Sequence, residues 1–197
     1  MKTAIVFGIT GQDGSHLADL LLEKGYTVVG VTRRSSTDNT IRIKHVLDNP
    51  SFKLVEGDIT DSVSICNIFR NYPQVDEIYN LAAQSHVGTS FKQPNLTWDI
   101  TGRGCLNILQ AIVDLNMQDR VRFYQASSSE MFGSSYTVKD GQKYQDENTP
   151  FLPQSPYAVA KVAAHYLVRL YREAYGVHGS CGILFNHEGP RRGENFV

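Results

Sequence analysis

Three features of the sequence predict an α/β fold built on a doubly wound parallel sheet. Apolar, β-rich runs alternate with amphipathic helical runs along the chain. The first β-rich run ends in a group of closely spaced glycines, and a helical run follows at once. No internal repeat or low-complexity tract interrupts the alternation. Strand–helix–strand connections force right-handed crossovers, so the strands lie parallel and the helices cover both faces.

The elements follow in order. Residues 3–8 (TAIVFG) form the first strand. Residues 15–24 form a helix whose apolar face is Leu17, Ala18, Leu20 and Leu21, with Gly25 as its stop. Thr27–Thr32 and Phe52–Glu56 are the second and third strands. Ser62–Asn71 has helical periodicity through Val63, Ile65, Cys66, Ile68 and Phe69. Residues 77–81 form the fourth strand, 99–116 a long helix and 122–127 the fifth strand. Residues 157–175 form another helix and 179–185 the sixth strand. Two polar segments stand outside the pattern: 33–50, a loop with a short helix, and 134–153, a surface excursion. Both are longer than ordinary connections, which marks them as functional or partner surfaces.

Bulk properties exclude several classes. With 197 residues, 41% hydrophobic and 20% charged, the chain can bury one substantial core. A net charge of −1 provides no basic field for nucleic acid. The three cysteines have no C-x-x-C spacing, and the six histidines form no H-E-x-x-H pair. No metal site or disulfide framework is expected, and a reducing cytoplasm is. The sequence shows neither a signal peptide nor an apolar run long enough to span a membrane.

The chemistry lies in short segments. The first strand runs into Gly8-Ile9-Thr10-Gly11-Gln12-Asp13-Gly14, a G-x-x-G-x-x-G spacing between strand and helix. Glycine permits the tight turn and lets backbone N–H groups approach a pyrophosphate at the helix N-terminus. Gly8, Thr10, Gly11, Gln12, Asp13 and Gly14 are thus expected to hold a dinucleotide. The end of the second strand selects which one. An NAD-binding chain usually carries an acidic residue there for the ribose hydroxyls, whereas this one carries Arg33 and Arg34. A carboxylate repels a 2′-phosphate and a guanidinium binds it bidentately, so NADP is the expected cofactor. An exposed charged loop is the alternative explanation of these arginines. Asp58, with Ile59 beside it, follows the third strand and is placed to meet the adenine amino group. Capping near Thr60 and Asp61 is an alternative that can coexist with that role. Leu81, Ala82, Ala83 and Ser85 follow the fourth strand, where small residues let the nicotinamide ribose sit against the backbone.

Tyr157 and Lys161 form a Y-x-x-x-K pair one helical turn apart, on the same helix face. Ser155 and Pro156 supply an N-cap and a first-turn proline. Upstream, Ser128 can hydrogen-bond the same substrate oxygen that Tyr157 would deprotonate. Free tyrosine has a pKa of about 10, and a neighbouring ammonium is expected to favour the phenolate. The set suits removal of a hydroxyl proton as hydride leaves carbon for NADP. Glu130 adds a carboxylate beside the serine. A simple dehydrogenase or epimerase has no need of it, whereas a dehydratase must abstract a C–H proton next to the new ketone. The alternative is a solvent-exposed glutamate.

Together these residues resemble the GDP-mannose 4,6-dehydratase family of extended short-chain dehydrogenases. The most specific stretches are GITGQDGS (8–15), RFYQASSSE (122–130), SPYAVAK (155–161) and GILFNHEGPRRGENFV (182–197). The resemblance implies a Rossmann fold, bound NADP, GDP-mannose as substrate and a cycle without net redox. In that cycle the mannose C4 hydroxyl is oxidised, with Tyr157 as base, Lys161 tuning it and Ser128 orienting the oxygen. Glu130 then takes the C5 proton, water leaves from C6, and hydride returns to C6. The product is GDP-4-dehydro-6-deoxymannose. The resemblance also implies cofactor contacts from Tyr157, Lys161, His187 and Arg192. It implies substrate contacts from Ser85, Ser128, Glu130 and Asn186. Residues 33–40 resemble the loop through which subunits of this family pair, so a homo-oligomer (dimer or tetramer) is expected.

The sequence departs from the family pattern in places. Ser128 stands where threonine is usual, Leu96 where a cofactor-proximal tyrosine is usual, and Gly189 where serine is usual. Members of the family also continue into a C-terminal substrate domain. The expectation is therefore one NADP-binding Rossmann domain over 1–197 that carries the catalytic residues, with the substrate lobe absent. Two other readings stay open: a nucleotide-sugar reductase or epimerase of the same fold, and a non-catalytic NADP-binding form.

Overall fold

The computed structural model describes residues 1–193. Six strands form one sheet: β1 (Thr3–Phe7), β2 (Thr27–Thr32), β3 (Phe52–Glu56), β4 (Glu77–Asn80), β5 (Arg122–Ser128) and, after a separate hairpin of β6 (Thr137–Lys139) and β7 (Gln142–Tyr144), β8 (His178–Leu184). Their order across the sheet is β3-β2-β1-β4-β5-β8, and every neighbouring pair is parallel. The helices are α1 (Gln12–Glu23), α2 (Ser62–Asn71), α3 (Val87–Lys92), α4 (Pro94–Thr97), α5 (Gly104–Asp114) and α6 (Pro156–Tyr175).

The period of two in β1 explains the layering. Ala4 and Val6 point to one face, where they pack with Ala18 and Leu21 of α1 and with Val28, Ile43 and Phe52. Ile5 and Phe7 point to the other, against Ile65, Ile68 and Phe69 of α2, Ile108 and Ile112 of α5, and Val168 of α6. A strand that buries both faces has no polar side to spare, so it reads as a continuous apolar run. The strand order reverses between β1 and β4. That reversal leaves a crevice beyond the carboxyl ends of the strands, the place where open α/β sheets bind ligands.

Both ends of α6 match the sequence reading. Ser155 caps it, its hydroxyl accepting from the Ala158 N–H at 3.0 Å, and Pro156 sits in the first turn. Gly176 closes it in the left-handed conformation, φ 72°. Elsewhere the boundaries move. Helix α1 starts at Gln12, inside the glycine segment, because Gly11 serves as its N-cap. The helix expected over 99–116 is interrupted: Trp98–Arg103 forms a π-helical turn before α5. Thr101 in that turn accepts from the Gln84 N–H at 3.2 Å, which ties the turn to the loop after β4. The excursion 134–153 contains the β6–β7 hairpin, whose two-residue turn places Asp140 and Gly141 at φ 51° and 74°. Asp-Gly is a strong signal for a type I′ turn, so the hairpin was readable.

Gly14 generates the first prediction. A methyl group there would collide with the carbonyl of Gly8 and the α-carbon of Ile9, both backbone. Gly14→Ala should lower stability by about 1–3 kcal/mol, the usual range for overpacking. Urea titration of the two proteins measures it; unchanged stability would mean that the turn can open without cost.

Candidate cofactor and active site

A cleft of about 880 Å³ opens at the carboxyl ends of β1, β4 and β5. One wall is the glycine turn. Gly8 has φ 81°, and a Cβ there would come within 2.8 Å of the Ala82 nitrogen. Gly11 donates its N–H to the Gly8 carbonyl at 3.1 Å, and Ser15 donates its own to Gly11 at 3.0 Å. As N-cap of α1, Gly11 has no side chain to satisfy the N–H groups of the first turn. Those donors are left for an anion in the cleft. The buried Gln12 Oε1 also lacks a hydrogen-bond partner. A backbone cradle closed to a Cβ at Gly8 and Gly14, with uncapped donors beneath it, fits a dinucleotide pyrophosphate.

Nearly all the expected site residues meet in this cleft. Thr10, Gln12, Asp13, Arg33, Asp58, Ile59, Leu81, Ala82, Ala83 and Ser85 line it together with the glycines. Ser128, Glu130, Tyr157, Lys161, Asn186, His187 and Arg192 line it as well. Arg34 is the exception. It borders a neighbouring shallow hollow formed by residues 32–40 and 54–56. Asp58 also serves the local turn, its Oδ1 accepting from the Thr60 N–H at 2.9 Å and the Thr60 hydroxyl at 2.8 Å. Asp61 is the N-cap of α2. Leu96 lies in the cleft wall. At Gly189 the nearest atom to an added Cβ is 3.7 Å away, ordinary contact distance, so a serine would fit there.

The catalytic candidates sit where β5 meets α6. Lys161 is buried and donates from Nζ to the Ala126 carbonyl at 2.7 Å. Its Nζ lies 5.6 Å from the centre of the Tyr157 ring. Burial lowers its pKa to about 8. Ser128 caps the short 3₁₀ turn Ser129–Met131, accepting from the Glu130 N–H at 3.2 Å, and that turn sets Glu130 in the cleft. The acidity of Tyr157 runs against the sequence expectation. Burial pushes its pKa up to about 12; a hydrogen bond with Ser128 pulls it down and the Glu130 charge pushes it up. The Lys161 ammonium does not reverse this, because it is directed to the Ala126 carbonyl.

Asn80, Gln125, Asp19 and Arg42 carried no signal in the sequence, unlike His187 and Arg192. Asn80 and Gln125 form a buried amide pair at 2.8 Å, and Gln125 donates to the same Ala126 carbonyl that holds Lys161, at 3.0 Å. Residues 187–192 cross the glycine turn. His187 bonds Asp13 through Nε2 at 2.7 Å and the Phe185 carbonyl through Nδ1 at 2.7 Å, and these contacts raise its pKa, the Phe185 carbonyl most. Arg192 donates to the His187 carbonyl. Arg191 pairs with Asp19 at 2.7 Å, and Asp19 also meets His45 at 2.7 Å. Burial pushes the Asp19 pKa up, but hydrogen bonds from His45 and Arg191 outweigh it and hold it low. Arg42 donates from Nε to the Arg191 carbonyl at 2.7 Å and from Nη1 to the Thr10 carbonyl at 3.5 Å. Among the described residues no group of histidine, cysteine and carboxylate side chains could hold a metal ion.

Comparison with known proteins agrees with this geometry. The family model described as GDP-mannose 4,6 dehydratase matches residues 5–197. The chain belongs to that family. It is 50% identical to the GDP-mannose 4,6-dehydratase of Yersinia enterocolitica, covering 100% of this chain and 53% of the relative. It is 51% identical to the Drosophila melanogaster GDP-mannose 4,6 dehydratase, covering 100% of this chain and 50% of the relative. The chain thus spans about half the length of the curated relatives it matches. Among solved structures, the dTDP-glucose 4,6-dehydratase of Streptomyces venezuelae with NAD bound superposes with a TM-score of 0.82 at 26% identity, over 96% of this chain and 57% of the other. A UDP-glucuronic acid 4-epimerase from Bacillus cereus gives a TM-score of 0.84 at 24% identity, over 98% of this chain and 60% of the other, and supports the fold.

Within this family member, the burial of Lys161 yields a pH prediction. Its folded pKa, about 8, lies below the ordinary 10.5. Between those values the unfolded chain binds more protons than the folded one, so this residue's contribution to stability rises with pH. From pH 8 to 10.5, wild type should gain on Lys161→Met by up to roughly 3 kcal/mol. Urea melts of both proteins across that range measure the difference. A gap that stays constant with pH would show that Lys161 has an ordinary pKa.

Proposed function

We propose that the chain is the NADP-binding, catalytic portion of a GDP-mannose 4,6-dehydratase, converting GDP-mannose to GDP-4-dehydro-6-deoxymannose. One observation carries this reading: the Glu130 carboxylate shares a cleft with Ser128, Tyr157 and Lys161, beside a glycine cradle that excludes a Cβ at Gly8 and Gly14. Oxidation or reduction at C4 alone has no use for that carboxylate. Dehydration needs it, because the C5 proton becomes removable only once C4 is a ketone.

In this reading Ser128 orients the C4 hydroxyl and Tyr157 takes its proton. Lys161 fixes a positive charge beside that phenol. Glu130 removes the C5 proton and water departs from C6. Bound NADP would supply the hydride acceptor at C4 and the donor at C6. The cradle Gly8, Thr10, Gly11, Gln12, Asp13 and Gly14 would hold its pyrophosphate, and Arg33 its 2′-phosphate. Asp58 and Ile59 would meet the adenine; Leu81, Ala82, Ala83 and Ser85 the nicotinamide ribose. His187 and Arg192 would reach the cofactor from the segment that crosses the turn, and Asn186 and Ser85 the sugar nucleotide. A nonpolar mimic of such a site would not bury a lysine at the β5–α6 junction, since an ionisable group there costs several kcal/mol.

The exposed loop 33–40, with Arg34 on it, is the proposed surface for pairing subunits into a dimer or tetramer. The three free cysteines of the chain, Cys66, Cys105 and Cys181, suit a reducing cytoplasm. No helix among the described residues is long and apolar enough to cross a membrane.

Paired variants test the chemistry in the form of the protein that turns over GDP-mannose. Tyr157→Phe should produce neither NADPH nor product. Glu130→Gln should oxidise C4 but stop there, so absorbance from bound NADPH rises while no product lighter by one water appears in the mass spectrum. General-base losses of this kind are typically on the order of 10²–10⁴-fold in rate. Normal turnover by Glu130→Gln would remove the dehydratase assignment.

A further inference from the structure

Two rungs tie the end of β5 to α6. The first is the Lys161 ammonium on the Ala126 carbonyl at 2.7 Å. The second lies one residue further along the strand and one turn further along the helix, where Ser127 Oγ and His165 Nδ1 share a hydrogen bond of 3.0 Å. Tyr157, Lys161 and His165 recur at the i, i+4 spacing, so they stand on one face of α6. Ser127 is buried, so its hydroxyl has no water to turn to if that bond is lost. His165 itself does not border the cleft.

The imidazole has a second contact. Its ring meets the Phe151 ring edge-on, with centroids 5.2 Å apart and planes at 84°. Tyr166 adds a looser edge contact to Phe151 at 5.9 Å. Phe151 packs in turn on Phe132 at 5.4 Å, and its neighbour Leu152 donates its N–H to the Met131 carbonyl at 3.0 Å. Met131 and Phe132, both buried, follow Glu130 directly. Gly133 closes the fit: with φ 53°, it lies so near the Leu152 carbonyl that no Cβ could enter. Residues 151–152 are thus clamped to the turn that carries Glu130, and they lean on His165. Burial lowers the His165 pKa and the Arg172 charge lowers it further, so the ring is neutral at pH 7. A neutral imidazole keeps the Ser127 bond in either tautomer, as acceptor or as donor.

We infer that His165 is a positioning residue that sets two groups of the site from behind the cleft: its Nδ1 places Ser128 against Tyr157 through Ser127, and its ring places Glu130 through Phe151. The inference rests on the dehydratase reading above and deepens it. Each contact serves a different half of the cycle. The bond to Ser127 governs removal of the C4 hydroxyl proton, and the ring governs removal of the C5 proton. An Å-scale shift of either kind lowers rate rather than affinity, because His165 stands outside the cleft.

Two opposite substitutions separate the contacts in the form of the protein that turns over GDP-mannose. His165→Phe keeps the ring and loses the hydrogen bond. It should slow C4 oxidation, read as the single-turnover rise of bound NADPH, on the order of 10- to 100-fold. His165→Asn keeps a polar group near the Nδ1 position and loses the ring. It should oxidise C4 within about threefold of wild type but form the dehydrated product on the order of 10-fold more slowly, so bound NADPH accumulates. In both variants KM for GDP-mannose and the Kd of NADP should move less than about twofold. Ser127→Ala should reproduce His165→Phe, and the double variant should be no slower than either alone, because both remove the same bond. Ser127→Ala, the smaller change, carries the test if His165→Phe fails to fold. Equal slowing of both steps in both His165 variants, in proportion to stability lost in urea, would make His165 a packing residue and overturn the inference. Unchanged rates in both would overturn it, as would losses that multiply in the double variant. If wild type forms no dehydrated product, the dehydratase reading falls and this inference with it; if wild type dehydrates normally and the variants lack the expected split, this inference alone falls.

Discussion

Gly8 lies with its α-carbon against the peptide between Leu81 and Ala82, and Gly14 lies beneath the Gly8 carbonyl. These backbone-on-backbone approaches occur where the sheet order reverses between β1 and β4. The reversal opens the crevice, and the glycines keep its floor bare. With side chains there, the start of α1 would be pushed away from β1, and its uncapped N–H groups would no longer face the cleft. The close fit also fixes the loop after β4, which carries Ala82, Ala83 and Ser85, relative to the turn that carries Thr10 and Asp13. Much of the site's geometry follows from that contact.

A second junction holds the candidate catalytic side chains. The Ala126 carbonyl accepts from both Lys161 and Gln125, and Gln125 is locked to Asn80 on β4. One residue along, Ser127 bonds His165 of α6 at 3.0 Å, and the next, Ser128, faces Tyr157. The end of β5 is thereby tied to α6 at successive residues. A hydroxyl, a phenol and an ammonium from two elements keep fixed distances without a loop to carry them. Placing a site on rigid elements in this way limits the loss of orientation that an Å-scale shift would bring.

Legibility in the sequence followed the physical origin of each feature. The strands and major helices were readable because burying both faces of a parallel sheet leaves long apolar runs, as in TAIVF and TVVGV. The glycine turn was readable because no other residue fits it. Tyr157 and Lys161 were readable from helical spacing with a Ser-Pro cap in front. Arg42 was not, because the loop 33–50 has no period and an arginine there looks like any solvated charge. Gln125 and Asn80 were hidden for the opposite reason: one sits inside a strand and the other ends one, and only the pairing across β4 and β5 shows why. The π-helical turn at Trp98–Arg103 had no marker in the apolar pattern, which reads straight through it. Tyr157 was read correctly in place and wrongly in acidity, since the ammonium one turn away is visible in sequence and the burial around the phenol is not.

That error matters for the chemistry. With its pKa pushed up to about 12 by burial, the Tyr157 phenol is protonated at pH 7. The phenol is therefore a neutral acid beside a buried ammonium, and in the proposed reading a cationic, oxidised nicotinamide bound in the cleft would favour its phenolate. Glu130 works against the same ionisation, because its negative charge raises the phenol's pKa. The Glu130 charge thus disfavours the phenolate. In the proposed cycle this effect favours an order. Tyr157 becomes neutral on taking the C4 proton, which removes the repulsion at the moment Glu130 must act. Glu130 becomes neutral on taking the C5 proton, which eases the return of Tyr157 to phenolate. In that reading one cleft runs two proton abstractions in sequence, because the first leaves Tyr157 neutral before Glu130 acts.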